Sequence, residues 1–512
     1  MDHTELLGSN KEYVSSFLLT VVLLSLLLYF IRFYIGTRHV VKYANKLPSL
    51  KLRFYHVLGH VSLLFSHRWN KRNTDISPHV YDLLALIGYN SMFLKNKITN
   101  IWQIYYPFIS IYHADTVEVV LNHSTELKKA WFYELLHPWI GTGLLTSYDE
   151  KWRVRRKMLT PAFHFNILKD FLPVFNKQSR VLKGILEGST QEEFVDIVPL
   201  ITKCSLDIIC ESILGKEMHT QTQPSSPYVK AVVNLTDWAF ERMQRPWLWN
   251  DFMFKISPFG RRFAKNVAIV HDFTNKVISE KKKELLKRKN PNMPVDSGDD
   301  VEGKKHKKLA LMDLLLEEHF KNNSISEEGI REEVNTFTFE GHDTTSVGIS
   351  WSLWLVGLHP WVQDRIHAEL DDIFGDDERD ITMEDLKNMK YLECVIKESL
   401  RLYPSVPAFG RMIRNDIKIE NYIVPKGSIC LVHTFLLHRD PEFFPNPEKF
   451  DPDRFTQDNS VGRNPFAYVP FSAGPRNCIG EYQLRFICFI SIKKSKILHV
   501  IIVKVVWVVF KR

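Results

Sequence analysis

The stretch "FSAGPRNCIG", residues 471–480, places a single cysteine among glycines, a proline and an arginine. Gly474 permits a tight turn before Cys478, and Gly480 permits a bulky flat group to lie against the backbone. Backbone N–H groups at such a turn favour the thiolate, which is the form of cysteine that binds metals. Arg476 can reach an anionic edge of the bound group. The loop therefore predicts a site for a flat, anionic, metal-bearing ligand.

Two interpretations of Cys478 follow from its surroundings. A flat, anionic, metal-bearing group that takes one cysteine as its axial ligand is haem. The alternative is a buried free cysteine, which is the usual fate of a lone cysteine. The pattern F-x-x-G-x-R-x-C-x-G fixes five positions, and a chain of this length matches it by chance roughly once in ten thousand. The pattern favours haem.

These residues resemble the haem-binding loop of the cytochrome P450 superfamily of monooxygenases. The resemblance extends over residues 40–480 and implies heme b as the cofactor, with Cys478 as the metal ligand. The periodicity of the chain is mostly helical with a minor share of strand. The expected fold class is therefore mainly α with small β-sheets (α+β), which is the fold of that superfamily.

The string "FTFEGHDTTS" (337–346) lies in the middle of a long predicted helix (326–358). Glycine, histidine and Asp-Thr-Thr are poor residues for a helix interior, so their presence in a core helix indicates a functional site. A helix bent by back-bonding hydroxyls would explain the threonines alone. The resemblance implies that Asp343 and Thr344 are the catalytic pair that delivers protons.

Longer strings resemble one family within the superfamily, the fatty-acid ω-hydroxylases of family four. They are "EVNTFTFEGHDTT" (333–345), "GTGLLTS" (141–147) and "RRKMLTPAFHF" (155–165). The resemblance implies ω-hydroxylation of a fatty acid or related lipid, with terpenoids, hormones or xenobiotics as alternative substrates. It also implies that Glu340, which shares a helix face with Asp343 and Thr344, forms an ester with a haem methyl group.

The carboxylates of a haem need cationic partners. Trp152 and Arg156 in "KWRVRRKML" (151–159) resemble the W-x-x-x-R contact of the superfamily, and Arg411 and Arg476 resemble further partners. For any one arginine a solvated surface charge is the commoner explanation, but the set in its motifs favours cofactor binding.

A second group of charged residues is predicted to be structural. Glu398 and Arg401 lie one helical turn apart in a predicted helix (384–403), a spacing that usually gives a trivial surface ion pair. The resemblance implies instead that they form a buried triad with Arg454 behind the cysteine loop. His438 is likewise predicted to be a structural histidine.

The N-terminus predicts a membrane anchor. Residues 13–31 carry no charge and are long enough to cross a bilayer as a helix. Acidic residues precede this run and basic residues follow it, which predicts a lumenal N-terminus and a cytosolic catalytic domain on the endoplasmic reticulum. A cleaved signal peptide and a buried core helix fit less well. Six sparse cysteines suit a reducing compartment.

The net charge of +8 suits a membrane surface or an acidic partner protein, and the chain has no recognisable nucleic-acid reading module. The partners implied by the resemblance are an NADPH-dependent reductase, with a cytochrome b-type protein as a further electron donor. "GTG" (141–143) lacks the third glycine of a dinucleotide fingerprint, so NADPH itself is not expected to bind this chain.

Four segments are predicted along the chain. They are an anchor (1–36), a basic linker (37–53), the monooxygenase domain (54–480) and an atypical tail (481–512). The tail lacks glycine and proline and departs from the family's helix and β-hairpin, which suggests intron-derived or frameshifted sequence. The alternative function is accordingly a non-catalytic or unstable haem-binding product. Within the domain, residues 102–121 predict a β-hairpin followed by a helix that begins near Asp115, and residues 287–308 predict an exposed loop.

Overall fold

A computed structural model describes most of the chain between residues 94 and 482. The described residues are 35–50, 94–103, 106–123, 128–163, 165–189, 195–223, 226–289 and 311–482, with single positions at 17, 20, 21, 23–25, 27, 28, 31, 32, 90, 92, 487 and 488. Most of the predicted exposed loop (287–308) lies outside these residues.

Helices dominate the described residues, as the sequence predicts. The α-helices are α1 (Ala114–Leu121), α2 (His137–Ile140), α3 (Asp149–Leu159), α4 (Phe165–Gly188), α5 (Ile197–Ile209), α6 (Pro227–Met243), α7 (Asp251–Ile256), α8 (Pro258–Lys289), α9 (Leu311–Asn322), α10 (Glu327–Leu358), α11 (Pro360–Phe374), α12 (Met383–Asn388), α13 (Lys390–Leu402), α14 (Thr434–Leu437) and α15 (Gln457–Ser460). A π-helix, Cys210–Leu214, continues directly from α5.

Two small sheets complete the fold. Their strands are β1 (Ile98–Gln103), β2 (Tyr106–Ile111), β3 (Phe409–Met412), β4 (Ile417–Ile419), β5 (Tyr422–Val424) and β6 (Ile429–Val432). The larger sheet has the order β1-β2-β6-β3, in which β2 and β6 are parallel and the other pairs antiparallel. β4 and β5 form a separate antiparallel pair. The predicted hairpin is present as β1 and β2, but β1 begins at Ile98, four residues before the predicted start. The helix predicted near Asp115 is α1, which begins at Ala114.

The predicted long helix is confirmed as α10, which is buried along much of its length. The Ser326 hydroxyl caps its first turn by accepting a hydrogen bond from the Gly329 N–H (3.0 Å). Interior hydroxyls donate to carbonyls one turn back, as Ser350 does to Ser346 (2.7 Å). This back-bonding satisfies polar side chains inside an apolar core.

Glycine inside α10 lets a neighbouring helix approach closely. A Cβ at Gly341 would lie 2.7 Å from Cδ1 of Ile209, the last residue of α5. A larger residue would have to displace the end of the Ile209 side chain, so glycine at position 341 lets α5 and α10 pack closely.

The predicted helix 384–403 is two helices, α12 and α13, so the prediction of one helix was wrong. Met389 leaves the helical conformation between them (φ −75°, ψ 64°), and its side chain is completely buried. The Glu369 carboxylate of α11 accepts the backbone N–H groups of Tyr391 (2.6 Å) and Leu392 (2.9 Å). This tertiary cap starts a new helix at α13.

Two large apolar clusters lie along α10. One contains residues from its N-terminal half, such as Val334 and Phe337, and the other contains residues from its C-terminal half, such as Leu353. The second cluster also includes Ile487 and Cys488, which are helical and almost fully buried. The tail therefore contributes to the core at these two positions, whereas residues 489–512 lie outside the described part of the chain.

The stretch predicted as a membrane anchor (13–31) lies largely outside the described residues. Among the positions that the structure does describe, no helix combines the length and the apolar character needed to cross a membrane.

Candidate active site

The loop that carries Cys478 is closed by its own backbone. The Cys478 N–H donates to the Phe471 carbonyl (2.8 Å) and the Asn477 N–H to the Gly474 carbonyl (3.1 Å). Gly474 has φ = 70°, and a Cβ there would lie 2.0 Å from the Leu121 carbonyl oxygen at the end of α1. The predicted tight turn is thus present, and both its conformation and the close approach of α1 require glycine.

The Cys478 side chain is accessible to solvent. The surrounding protein atoms raise the pKa of its thiol to about 11, and a hydrogen bond from the Gly480 backbone acts in the opposite direction. No described protein atom lies within 4 Å of the position that a Cβ of Gly480 would occupy. The thiol and Gly480 therefore both border space that the described residues do not fill.

Arg476 is buried, with 6% of its surface exposed. Its Nη2 donates to the carbonyls of Leu145 (2.7 Å) and Leu144 (3.3 Å). Its guanidinium carbon lies 5.1 Å from the ring centre of Trp152 on α3, a cation–π contact. Burial, together with the charge of Arg411, lowers the pKa of Arg476 to about 9. Trp152 therefore contacts Arg476, and its link to the predicted site is through that arginine.

Arg156 follows Trp152 by one turn of α3 and contacts the cysteine loop directly. Its Nη1 donates to the Asn477 carbonyl (2.6 Å) and its Nη2 to the Asn477 side-chain oxygen (2.7 Å). This two-pronged contact fixes the residue immediately before Cys478. Burial lowers the pKa of Arg156.

Arg411 is the most deeply buried cation of the predicted set, at 2% exposure on β3. Its Nη1 lies 3.4 Å from the Gly410 carbonyl, and among the described residues no carboxylate forms an ion pair with it. Burial lowers its pKa. Because a buried charge without a counter-ion is costly, this position suits an anionic ligand.

Lys129 is a site residue that the sequence did not reveal. An isolated β-bridge pairs it with Arg411, and its Nζ lies 4.9 Å from the ring centre of Tyr133. Burial and the charges of Arg411 and Arg476 lower the pKa of Lys129 far below its usual value, while Glu340 and Cys478 act in the opposite direction. Lys129 therefore shares the electrostatic environment of the predicted site, although no motif surrounds it.

On α10, Glu340, Asp343 and Thr344 are all half-buried and share one helix face, as their spacing predicts. The Thr344 hydroxyl donates to the Glu340 carbonyl (2.7 Å), and the Ser405 hydroxyl donates to the Thr344 carbonyl (2.9 Å). Burial raises the pKa of Glu340 to about 7, which Lys129 opposes and Asp343 reinforces.

The predicted structural triad is present between α13 and the segment Pro452–Phe455. Arg401 donates to both carboxylate oxygens of Glu398 (2.6 and 2.8 Å), and Nε of Arg454 lies 3.5 Å from the same carboxylate. Glu398 and Arg401 are fully buried. His438 accepts the Val469 N–H (2.9 Å) just before the loop, which supports its predicted structural role.

Haem fits the residues that the structure brings together. Arg411 lowers the pKa values of both Lys129 and Arg476, and the Cys478 thiol acts on Lys129 in the opposite direction, so these three buried or half-buried basic side chains lie near the accessible thiol. Such a cluster of like charges needs an anion to balance it. A flat group that carries carboxylates and takes one axial thiolate meets this requirement, and Gly480 leaves room against the backbone.

Comparison with known proteins decides the family, because the sequence model of the cytochrome P450 family matches residues 89–483. The chain belongs to the cytochrome P450 family. It is 44% identical over 454 residues to human cytochrome P450 4V2, and the matched segment covers 87% of this chain and 83% of that relative. It is 43% identical over 490 residues to Drosophila melanogaster cytochrome P450 4c3, and the matched segment covers 94% of this chain and 89% of that relative.

A solved cytochrome P450 has the same fold. The haem domain of cytochrome P450DA superposes with a TM-score of 0.71 at 22% identity, over 88% of this chain and 90% of that chain. This likeness shows the fold alone. It confirms the predicted fold class. The family match and the relatives of family four confirm heme b as the cofactor and the class of enzyme, a monooxygenase. A P450 receives electrons from a redox partner and oxidises a lipophilic substrate.

The two glycines of the cysteine loop predict opposite phenotypes. Gly474→Ala places a side chain at φ = 70° and 2.0 Å from the Leu121 carbonyl, so we expect a loss of about 3 kcal/mol in the free energy of unfolding. Gly480→Ala meets no described protein atom within 4 Å, so we expect the stability of the haem-free protein to change by less than about 0.5 kcal/mol.

Haem content distinguishes the second variant, because the added methyl group would compete with haem for the open space beside the Gly480 backbone, where the sequence predicts the flat group to lie. Chemical denaturation of the haem-free protein and pyridine haemochrome assays of the purified protein measure the two effects. Equal stability of both haem-free variants, or full haem content in Gly480→Ala, would contradict this account of the loop.

Proposed function

We propose that this P450 is a membrane-bound ω-hydroxylase of fatty acids or related lipids. The observation that carries the proposal is Glu340, which lies on the same face of α10 as Asp343 and Thr344 and in the same electrostatic environment as Cys478. Its motif is that of family four, to which the relatives at 43–44% identity belong. We place the monooxygenase domain at residues 54–480, which includes most of the matched segment (89–483).

Each residue of the site has a definite task in this proposal. Bound haem with a thiolate ligand supplies the oxidation chemistry that inserts one oxygen atom of dioxygen into a C–H bond. Cys478 provides the thiolate. Arg411, Arg476 and Lys129 hold the haem carboxylates, and Trp152 supports Arg476 through its ring. Arg156 keeps Asn477, and thereby Cys478, in place.

Asp343 and Thr344 are proposed to deliver protons. The Thr344 hydroxyl donates a hydrogen bond to the Glu340 backbone carbonyl (2.7 Å). The lone pairs of the hydroxyl oxygen therefore remain available to accept a further hydrogen bond. The half-buried Asp343 carboxyl, one residue earlier on the same face, is the proton source. Helix α10 holds both groups at a fixed distance from each other.

We propose that Glu340 forms an ester with a haem methyl group during turnover. The methyl carbon would lose one proton and two electrons and bond to a carboxylate oxygen, and these two electrons, with two from the reductase, would reduce dioxygen to water. The carboxylate is half-buried in a site that already contains Lys129, and a covalent bond would fix the haem relative to α10. A rigidly held haem would favour reaction at the terminal carbon of a fatty acid that enters through a narrow channel. The weaker C–H bonds in the interior of the fatty-acid chain would then be out of reach.

Acid–organic extraction tests this ester. After turnover, we expect haem to remain with the wild-type protein and to be extracted completely from Glu340→Ala. Glu328→Ala, which removes an exposed carboxylate of the same helix that pairs with Arg331 (3.2 Å), is the matched control and should retain its haem. Extraction of all haem from the wild type would refute the ester.

Exposed apolar side chains support the proposed location on the endoplasmic reticulum membrane. Phe17, Leu28 and Ile35, which all adopt helical conformation, are 68, 66 and 65% exposed. A second group surrounds α7, where Trp247 and Phe252 are 61 and 69% exposed. Clusters of this kind are typical of surfaces that contact a membrane or a partner. The proposed electron donors are an NADPH-dependent reductase and a cytochrome b-type protein.

Reconstitution tests the function. Purified protein with an NADPH-dependent reductase and phospholipid is incubated with a saturated fatty acid, and the hydroxylated products are separated by position. We expect the terminal alcohol to dominate over subterminal alcohols. Oxidation of a terpenoid under the same conditions, without hydroxylation of any fatty acid, would overturn the proposed substrate class.

A further inference from the structure

A short turn, residues 141–145, connects the cysteine loop to α10. On one side, the carbonyls of Leu144 and Leu145 accept hydrogen bonds from Nη2 of Arg476 (3.3 and 2.7 Å). On the other side, the Leu144 N–H donates to Oε2 of Glu333 (2.9 Å), on α10. One peptide segment therefore lies between a carboxylate of α10 and an arginine two residues from Cys478.

Glu333 is completely buried, and its charged neighbour is Arg155 of α3. Nη1 of Arg155 lies 3.8 Å from Oε1 of Glu333, and both atoms lack a hydrogen-bond partner among the described residues. Gly329, one turn earlier on α10, makes room for the guanidinium, since a Cβ there would lie 2.3 Å from Nη2 of Arg155. The pair is thus built into the contact between α3 and α10.

The turn itself is fitted to α10. A Cβ at Gly141 would lie 2.7 Å from Cγ of Glu332, and one at Gly143 would lie 2.5 Å from the Thr336 hydroxyl oxygen. The Glu332 carboxylate accepts both the backbone N–H and the hydroxyl of Thr142 (2.9 Å each). Two consecutive carboxylates of α10 therefore fix two successive parts of the turn, and Glu333 fixes the part next to Arg476.

We propose that Glu333 is a positioning residue that directs Arg476 towards the haem carboxylates through the Leu144–Leu145 peptide. The inference rests on the proposed role of Arg476 in holding the haem. Since Nη2 of Arg476 is committed to the two carbonyls, the position of the turn determines where the rest of the guanidinium points. Loss of the Glu333 contact frees the part of the turn at Leu144 and Leu145, while Glu332 still holds Thr142, and lets Arg476 move away from the haem.

Glu333 is also expected to respond to pH. Burial raises the pKa of Glu333 to about 7, which the Leu144 N–H, Arg155 and Lys151 oppose and Glu332 reinforces. Above this pH the carboxylate accepts a charge-assisted hydrogen bond from the turn, and below it the neutral acid accepts a weaker one. The hold on Arg476 should therefore weaken as the pH falls through the range near 7.

Resonance Raman spectroscopy of the ferric holoenzyme reads this hold directly, because the propionate-bending mode reports hydrogen bonding to the haem carboxylates and does not depend on turnover. We expect Arg476→Ala to shift the mode and Glu333→Ala to shift it in the same direction. The double variant should match Arg476→Ala alone. Glu328→Gln, which changes an exposed carboxylate of α10, is the control and should match the wild type.

Glu333→Gln provides the second test and is expected to fold even where Glu333→Ala does not, since its amide oxygen can still accept the Leu144 N–H. We expect the propionate-bending mode of Glu333→Gln to resemble the mode that the wild type shows at low pH. The change that the wild-type mode undergoes near pH 7 should be absent from Glu333→Gln. The titration of the haem carboxylates themselves remains in both proteins and cancels in the comparison.

The outcomes separate this inference from the proposed function. If Arg476→Ala shifts the mode but Glu333→Ala leaves it unchanged, or if the two shifts add in the double variant, only the role of Glu333 is overturned. Identical pH dependence in the wild type and Glu333→Gln overturns it as well. If Arg476→Ala itself has no effect, the proposed haem contact of Arg476 fails and the inference fails with it.

Discussion

Cys478→Ala is expected to abolish hydroxylation completely. The proposed iron ligand is lost, and with it the thiolate that makes oxygen activation possible. The variant should still fold, because the thiol is exposed and the loop is held by the Cys478 N–H, which alanine retains, and by Gly474. Product formation in the reconstituted system measures the loss of activity, and chemical denaturation of the haem-free protein measures whether the variant folds.

The matched control is another cysteine. Cys394→Ala removes a buried thiol from α13 that lies in an apolar cluster, so we expect a modest loss of stability and unchanged product formation per haem. Hydroxylation by Cys478→Ala at a rate near that of the wild type would show that another residue holds the iron.

Glu398→Ala is expected to destabilise the protein by about 3–5 kcal/mol, the cost of breaking a buried ion pair. Glu398 and Arg401 are fully buried, and Arg454 lies 3.5 Å from the same carboxylate. Removal of the carboxylate leaves two cations that lack this counter-ion, and it also removes the acceptor for the Asp451 N–H (2.9 Å). Chemical denaturation measures the change in the free energy of unfolding.

The control lies on the same helix. Glu393 pairs with Lys397 at the surface of α13 (2.8 Å), so Glu393→Ala should change the free energy of unfolding by less than about 0.5 kcal/mol. Similar effects of the two substitutions would mean that Glu398 does not stabilise the fold through its charge. Glu398 touches none of the groups proposed to react, so the effect on activity should follow the loss of folded protein.

The sequence predicted the parts of the site that depend on local motifs. The tight turn before Cys478 depends on Gly474, which lies only four residues earlier, so the sequence alone shows the glycine that the turn requires. Glu340, Asp343 and Thr344 share a face of α10 because helical periodicity alone places them there. The Glu398–Arg401 pair follows from the same periodicity, although its burial came from the family resemblance.

The residues that were missed depend on contacts between distant parts of the chain. Lys129 enters the site through a β-bridge to Arg411, and nothing near it in sequence indicates that contact. The break between α12 and α13 comes from the Glu369 carboxylate of α11, which caps α13. Arg156 was predicted to contact the haem, and the structure pairs it with Asn477, whose position depends on the folded cysteine loop.

The central claim is that Cys478 binds the iron of a haem as a thiolate, and a reduced carbon-monoxide difference spectrum of the wild-type protein in its membrane fraction tests it most directly. We predict the long-wavelength Soret band of a thiolate-ligated haem, and its disappearance in Cys478→Ala. A spectrum typical of a neutral thiol or a histidine ligand, or no haem spectrum at all, would contradict the account.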